Sequence, residues 1–494
     1  MIAAFANTMR VPELRSRILF TLAMIVVVRL GVHLPLPGVD VQSITNFLAE
    51  RAGDEDSPLA ALGAILTIFS GGGLQQCGIF ALGIMPYISA SIMTQLMGAV
   101  VPSMQKMLRE EGGRQKMTRL TRMLAIIIAV LQGYFLTTML ENPRMLGLDG
   151  LSESLIMQPG PIFTISTIFI IVTGTMFLMW IGDQITERGV GNGISLIISV
   201  NIISGLPGAF AMAWKTLVTH NGADVNPLGS LGVVALMLFM VVVVAFVVIV
   251  NQAQRRIPVQ AAKRVVGRGK MTQGGTTYLP LKLNYSGVMP VIFATAILAL
   301  PNFLARQILP EDSWLTRLFT SVLSPSDIYY YLFASFLIFF FSFFWVATMF
   351  HPQQIADDLK RSGSYIPGVR PGPPTAAFLD TTMTRLTVAG SIFLTLIYFL
   401  PGMLGLASGL PFPVTQFFGG TSLLILVGVL LDMMRQIEAT LLQKNYDGFM
   451  KKGRLRGRYS HLQGTGSAAE SRGVVILWVF ISVLVLLGLI IMAV

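Results

Sequence analysis

Long apolar runs, each close to the length of a bilayer crossing, alternate with short polar segments along nearly the whole chain. A hydrocarbon core of ~30 Å takes about 20 residues of α-helix. Eleven runs come near that length, at 18–36, 78–101, 122–141, 162–181, 192–213, 231–250, 286–308, 328–350, 385–402, 418–437 and 473–494. The run at 231–250, LGVVALMLFMVVVVAFVVIV, holds no polar side chain at all. The pattern predicts an all-α polytopic membrane protein. The first run is too long for the apolar part of a cleaved signal and leads into HLPLPG (33–38), not into a small-residue cleavage site, so it is expected to stay as a span.

Composition agrees with the pattern: of 494 residues 53% are hydrophobic and 12% charged, and the mean hydropathy is +0.70. The net charge of +11 has two readings, nucleic-acid binding or charge sorting across a bilayer. With a cytoplasmic N-terminus, 27 of the 35 Lys and Arg residues fall in inside segments and five (Arg51, Arg144, Lys215, Arg306 and Arg317) outside. Topology therefore accounts for most of the basic excess. No direct DNA binding is expected, and nucleic acid enters only by way of a bound ribosome. The ten runs before the last divide at residue 213 into five and five, and an odd number per half permits an inverted repeat.

Several kinds of chemistry are excluded. Cys77 is alone, and His33, His220, His351 and His461 have no ligand spacing, so neither a disulfide nor a cysteine-based metal site is expected. HExxH, a P-loop, a GxSxG elbow and a dinucleotide fingerprint are absent. The chain is expected to be no enzyme and to carry no cofactor. Ion-coupled transporters retain carboxylates, His or Lys inside their spans, whereas here the spans hold almost none: Arg29 and His33 lie in the first, and Asp432 and Arg435 near the end of the tenth. The last two are three apart, the spacing of a helical salt bridge. Arg29 reads as a structural residue bonded to carbonyls or a neighbouring helix, in preference to an ion relay.

Three segments lie outside this pattern. SPLAALGAILTIFSGGG (57–73) is too short to span and ends in three glycines; it fits either a half-inserted helix lined by protein or a water cavity, or a loose surface helix. Loop 251–285 carries Arg255, Arg256, Lys263, Arg264, Arg268, Lys270 and Lys282 with no acidic residue, in an extended hairpin-like stretch with Gly-Gly at 274–275. It serves either to dock an anionic partner or as a solvated basic loop. Loop 351–385 is rich in Pro and Gly at 366–374 and presents Arg370 at a rigid tip.

Seven motifs in one order carry a resemblance: HLPLPGVD (33–40), FSGGGLQQCGIFALGIMPYISASIMTQL (69–96), TGTMFLMWIGDQITERGVGNGIS (173–195), QRRIPVQAAKR (254–264), YLPLKLNYSGVMPVIFA (278–294), DDLKRSGSYIPGVRPG (357–372) and FGGTSLLILVGVLLD (418–432). Over about residues 10–450 the chain resembles the SecY family of bacterial protein-conducting channels. The resemblance implies a ten-helix clamshell of two inverted five-helix halves, 1–213 and 214–443, in the bacterial inner membrane. It implies an aliphatic pore ring of Ile84, Ile88, Ile194, Ile198, Ile292 and Ile425, which is chemically sensible. A channel for chains of any sequence cannot rely on specific polar contacts, and branched aliphatics form a dewetting gasket. It also implies a plug within 57–73 (Leu62, Ile65, Leu66, Gly71, Gly72 and Gly73) and lateral-gate residues Ser89, Gln132 and Asn284.

Arg255, Arg256, Lys263, Arg264, Arg268 and Arg370 fall where the family docks its ribosome or SecA motor. Further partners implied are the SecE and SecG small subunits, a secretory precursor with its signal sequence, and lipid. One departure is the basic tail 444–472 leading into 473–494, an uncharged run of spanning length that matches nothing in the family and is expected to place the C-terminus outside. An ion or solute transporter and a lipid-packed scaffold with a basic docking face are the competing classes.

Overall fold

The computed structural model describes residues 12–39, 71–73, 77–110, 112–141, 156, 160–220, 224–225, 229–261, 264–266, 270–272, 276–295, 297–298, 328–408, 410 and 412–451. The helices are α1 (Pro12–Val32), α2 (Met85–Val100), α3 (Pro102–Arg109), α4 (Gly113–Glu141), α5 (Pro161–Arg188), α6 (Gly193–Val218), α7 (Gly229–Gln252), α8 (Ile328–Met349), α9 (Pro352–Arg361), α10 (Pro373–Ser408), α11 (Phe412–Gly419) and α12 (Thr421–Lys451). Between them lie β1 (Thr219–His220), β2 (Asp224–Val225), β3 (Gln254–Ala261), β4 (Arg264–Val266), β5 (Lys270–Thr272), β6 (Thr276–Lys282) and β7 (Ser364–Tyr365). Among the described residues, seven helical segments are long and apolar enough to cross a membrane. Run 231–250, for example, becomes α7, which buries Val233, Leu236, Val243, Val247 and Val250 and leaves Leu231, Val234, Leu238, Val242 and Ile249 exposed. An exposed stripe this apolar is stable only against lipid.

The chain divides into two compact units. In the first (Met1–Val27, Ile181–Leu196 and Val429–Val494), Leu14, Val190 and Ile437 form a small core with Ile18, Met433 and Leu441 packed on it. The turn after α5 is closed by polar contacts. The Val190 amide donates to Thr21 Oγ1 at 3.1 Å, the Gly191 amide to Gln436 Oε1 at 3.0 Å and the Gly193 amide to Thr186 Oγ1 at 2.9 Å. A Cβ at Gly193 would collide with the Gly182 carbonyl, so this tight turn requires glycine. Asp432 and Arg435 form the expected i,i+3 pair at 3.8 Å, on an exposed face.

The second unit (Val28–Trp180 and Ile197–Gly428) departs from the periodicity at two places. Run 78–101 is helical only from Met85, and run 18–36 stops at Val32. The reason is that the two ends pair with each other. The Leu36 amide donates to the Cys77 carbonyl at 2.8 Å, the Ile79 amide donates to the Leu34 carbonyl at 2.9 Å, and Pro35 bridges Gly78. Backbone groups used this way are lost to a helix. Phe80 is wedged where Gly31 of α1 has no side chain, and a Cβ on Gly174 of α5 would meet the Ile79 carbonyl at 2.5 Å. Around this knot Leu36, Val39, Cys77, Leu140, Ile156, Phe163 and Ile171 are buried together.

Loop 251–285 folds as an antiparallel hairpin, β3 on β6, with Arg255 opposite Leu281 and Ile257 opposite Leu279. Strand β7, from loop 351–385, adds to the other edge of β3 through Gln260–Tyr365 and Ala261–Ser364 pairs. Ile257, Val259, Leu281, Ile366, Leu379, Met383, Val346 and Phe350 make one core beneath this sheet, so the two loops are a single platform seated on α8 and α10.

Candidate functional site

The six isoleucines of the expected ring fall on four helical stretches. Ile84 caps α2 and accepts the Ile88 amide at 3.1 Å, so the pair lies one turn apart on one face. Ile84 and Ile198 are buried, Ile88 half-buried. Ile292, in the helical turns 289–295, and Ile425, in α12, line one cavity of about 20 Å³ together with Val291, Thr295, Tyr330, Tyr398, Gln416 and Thr421. That volume admits one water molecule at most. In its wall Tyr398 donates to Tyr330 Oη at 2.8 Å. Ile194 belongs to the first unit, where a Cβ on Gly182 would lie 3.0 Å from its Cγ1.

Of the plug residues, Leu62, Ile65 and Leu66 lie outside the described residues, while Gly71, Gly72 and Gly73 are described. Gly71 and Gly72 have φ of +67° and +89°, the left-handed region that a side chain disfavours. Gly71 is also pressed into place, since a Cβ there would meet Asn201 Oδ1 at 2.6 Å. The Gly73 carbonyl accepts the Gly78 amide at 2.8 Å. Arg29, near the C-terminal end of α1, donates from Nη1 to the Gly71 carbonyl and to Ser204 Oγ, both at 3.0 Å. The reading of Arg29 as bonded to a carbonyl and a neighbouring helix therefore describes what is found.

Asn284 and Gln132 are not brought together by any hydrogen bond. Asn284 is buried and donates from Nδ2 to Asn251 Oδ1 at 3.2 Å while accepting from Ser286 Oγ at 3.3 Å. Asn251, the polar residue that ends the wholly apolar α7 run, was the signal for this partner. Gln132 Oε1 is buried without a hydrogen-bond partner among the described residues. Ser89, in α2, is half-buried.

On the loop platform Arg255 and Arg256 are exposed on β3, where successive side chains point to opposite faces. Arg264 lies on β4, and Lys263 and Arg268 fall outside the described residues. Arg370 is exposed between Gly368 and Gly372, whose φ values of +83° and +105° turn the chain sharply on both sides. Its carbonyl accepts Thr375 Oγ1 at 2.7 Å. Thr375 is buried in the first turn of α10, and no sequence pattern marks it as the residue that fixes the tip. No group of three or more metal-ligating side chains exists among the described residues.

These features define a multi-pass membrane protein of channel type, with aliphatic side chains at the candidate constriction and a basic folded platform built from two of its loops. The SecY family model matches residues 78–434, and the chain belongs to the SecY family. It is 38% identical to the protein translocase subunit SecY of Chlamydia trachomatis, over 92% of this chain and 100% of that one. To the same subunit of Escherichia coli K12 it is 40% identical, over 90% and 96%. Among solved structures it is similar to one described as a protein-conducting channel, with a TM-score of 0.56, 17% identity and coverage of 86% of this chain and 92% of that one. Another, with TM-score 0.56, 18% identity and the same coverage, is a SecY protein whose plug domain stabilises the closed state of its channel and maintains a membrane seal. Sec61 from a canine ribosome–channel complex aligns with TM-score 0.52 and 16% identity over 86% and 92%. The expected fold class agrees with this channel fold.

Proposed function

We propose that this chain is the channel subunit of a protein translocase of the bacterial inner membrane, with its N-terminus in the cytoplasm. It passes unfolded secretory polypeptides and releases apolar segments sideways into lipid. Ile84, Ile88, Ile194, Ile198, Ile292 and Ile425 form the seal and the run 57–73 is the plug. The observation that carries the sealing role is the convergence of Ile292 and Ile425, far apart in sequence, on a void no larger than one water. A ring of branched aliphatic side chains excludes hydrated ions by dewetting and yields to a passing chain because it makes no specific bonds. Ser89, Gln132 and Asn284 act at the lateral gate, where unpaired or internally paired polar groups set the cost of parting the helices. The platform bearing Arg255, Arg256 and Arg370 receives an ATP-driven motor of the SecA type or a ribosome, and the presence of Sec61 on a ribosome in a related structure supports the second. SecE- and SecG-like small subunits complete the complex.

The test is reconstitution of the purified chain with its small subunits in vesicles, with motor, ATP and a secretory precursor. ATP-dependent protection of the precursor from added protease is expected. Its absence, with the complex intact, would reject the channel reading.

A further inference from the structure

Helix α7 ends at Gln252 and β3 begins at Gln254, so the hairpin starts directly from a spanning helix. Its return path is the stretch 283–287, between β6 and the helical turns 289–295 that carry Ile292. A buried stretch without helix or strand must find partners for its polar groups. The Leu283 amide donates to the Ala253 carbonyl at 2.9 Å, one step beyond the last strand pair, Gln254–Lys282. Past this point side chains take over from the ladder. Asn284, buried, donates from Nδ2 to Asn251 Oδ1 at 3.2 Å, and Ser286 Oγ, also in a buried residue, donates to Asn284 Oδ1 at 3.3 Å. Both ends of the Asn284 amide are thereby engaged.

Two other helices close on the same stretch. α10 passes so near that a Cβ on Gly390 would lie 2.8 Å from the Leu283 carbonyl and 3.5 Å from Asn284 Cα. Tyr285 meets the ring of Phe350, just past the end of α8, edge-on at 5.8 Å. Next comes Gly287, at φ +65° with nothing within 4 Å of a Cβ position, a point where the backbone changes angle at little cost. Ile292 follows, its amide donating to the Val288 carbonyl at 3.3 Å. Phe293 holds these turns to α8 through edge contacts with Phe341 and Trp345, each at 5.5 Å. The freedom at Gly287 therefore lies between two anchors, the Asn251–Asn284–Ser286 chain before it and Phe293 after it.

We propose that Asn251 is a positioning residue for transport: by holding Asn284 at the end of α7 it fixes the stretch 283–287, so that a displacement of the β3–β6 hairpin by its docked partner reaches the turns bearing Ile292. Packed side chains and hydrogen bonds in unbroken contact carry such coupling, and without the Asn251 acceptor the displacement is absorbed in 283–287. The inference rests on the reading of the hairpin as the docking platform and of Ile292 as a ring residue, and adds the residue that joins them. Ser286 is the second support, since its hydroxyl fixes which way the Asn284 amide faces.

The experiment uses the full chain with its small subunits in vesicles and measures two quantities, the affinity of the ATP-driven motor for the vesicles and the ATP hydrolysed per precursor protected from protease. Asn251→Leu is expected to leave the affinity at the native value and to raise the ATP hydrolysed per precursor about fivefold, the size of one lost hydrogen bond. Asn251→Asp, which keeps an acceptor oxygen for Asn284 Nδ2, should restore most of the coupling, a rescue that a merely space-filling role would not give. Asn284→Ala should uncouple in the same way, and the double variant no further than the worse single one, because the two act as a pair. Ser286→Ala should be intermediate, and it carries the test together with Asn251→Asp if Asn251→Leu fails to accumulate. If the Asn251 and Asn284 variants move precursor at the native ratio, or if motor affinity falls in step with transport, the proposal is overturned. Arg255→Glu with Arg256→Glu is the control for the platform. If that variant binds the motor and transports like the native channel, the docking reading fails and the coupling fails with it; if it loses affinity while the Asn251 variants stay coupled, the platform stands and the coupling alone is lost.

Discussion

At the scale of single residues the channel is distinguished by what its side chains decline to do. Ile292 and Ile425 line a cavity together with the hydroxyl-bearing Thr295, Tyr330, Tyr398 and Thr421, so the proposed seal requires that water not bridge to those hydroxyls. Ile88→Asn with Ile292→Asn should hydrate the constriction and raise closed-state single-channel conductance by about tenfold, ~1.4 kcal/mol of barrier; an unchanged conductance would remove both from the ring. Thr375 supplies a different test. Its hydroxyl bond to the Arg370 carbonyl is worth roughly 1 kcal/mol, and Thr375→Val keeps the shape while orphaning that carbonyl. ATP-driven export by Thr375→Val should fall several-fold with normal assembly, Thr375→Ser should recover it, and Arg370→Glu should impair it further by repelling the docked partner.

Elements are set by the competition between local pattern and long-range pairing. The apolar run 78–101 reads as one helix, yet its first residues bond to 34–36 and the helix begins at Met85. Periodicity counts side chains, and the fate of these backbone amides is decided by an extended segment some 40 residues away. Gly78 and Gly83 are the visible trace, since glycine inside a spanning run leaves room for another backbone. Gly174 meets the same knot from α5. Gly174→Val should destabilise the protein by about 1–3 kcal/mol through overpacking against the Ile79 carbonyl, seen as a lowered thermal unfolding midpoint in detergent. A midpoint equal to that of the native protein would show the knot to be looser than its distances imply. The hairpin in loop 251–285 was readable from its composition, but strand β7 was not, because two residues, Ser364 and Tyr365, carry no periodicity of their own.

For the whole molecule, charge placement and span count make the topology calculable from the sequence, including for the C-terminal run. The segment 473–494 lies outside the described residues, and its 22 uncharged residues reach ~33 Å as a helix, enough to cross. A tag at Val494 should be accessible from outside only, with Lys451, Lys452, Arg454, Arg456, Arg458 and Arg472 holding the near flank in the cytoplasm. Accessibility from the cytoplasmic face alone would instead mean that the run lies along the membrane surface or against the channel.

The sequence alone determined the membrane class, most of the spans and, through its ordered motifs, the family, because burial in lipid demands long apolar runs that no tertiary contact can disguise. Tertiary structure decided which polar groups face each other. Arg29 finds Gly71 and Ser204, Asn284 pairs with Asn251 and not with Gln132, Thr375 holds Arg370, and Ile292 meets Ile425 across a single void. Such pairings join residues separated by up to 175 positions. A lone polar residue in a sequence announces that it needs a partner, but only the packing of helices around it supplies one.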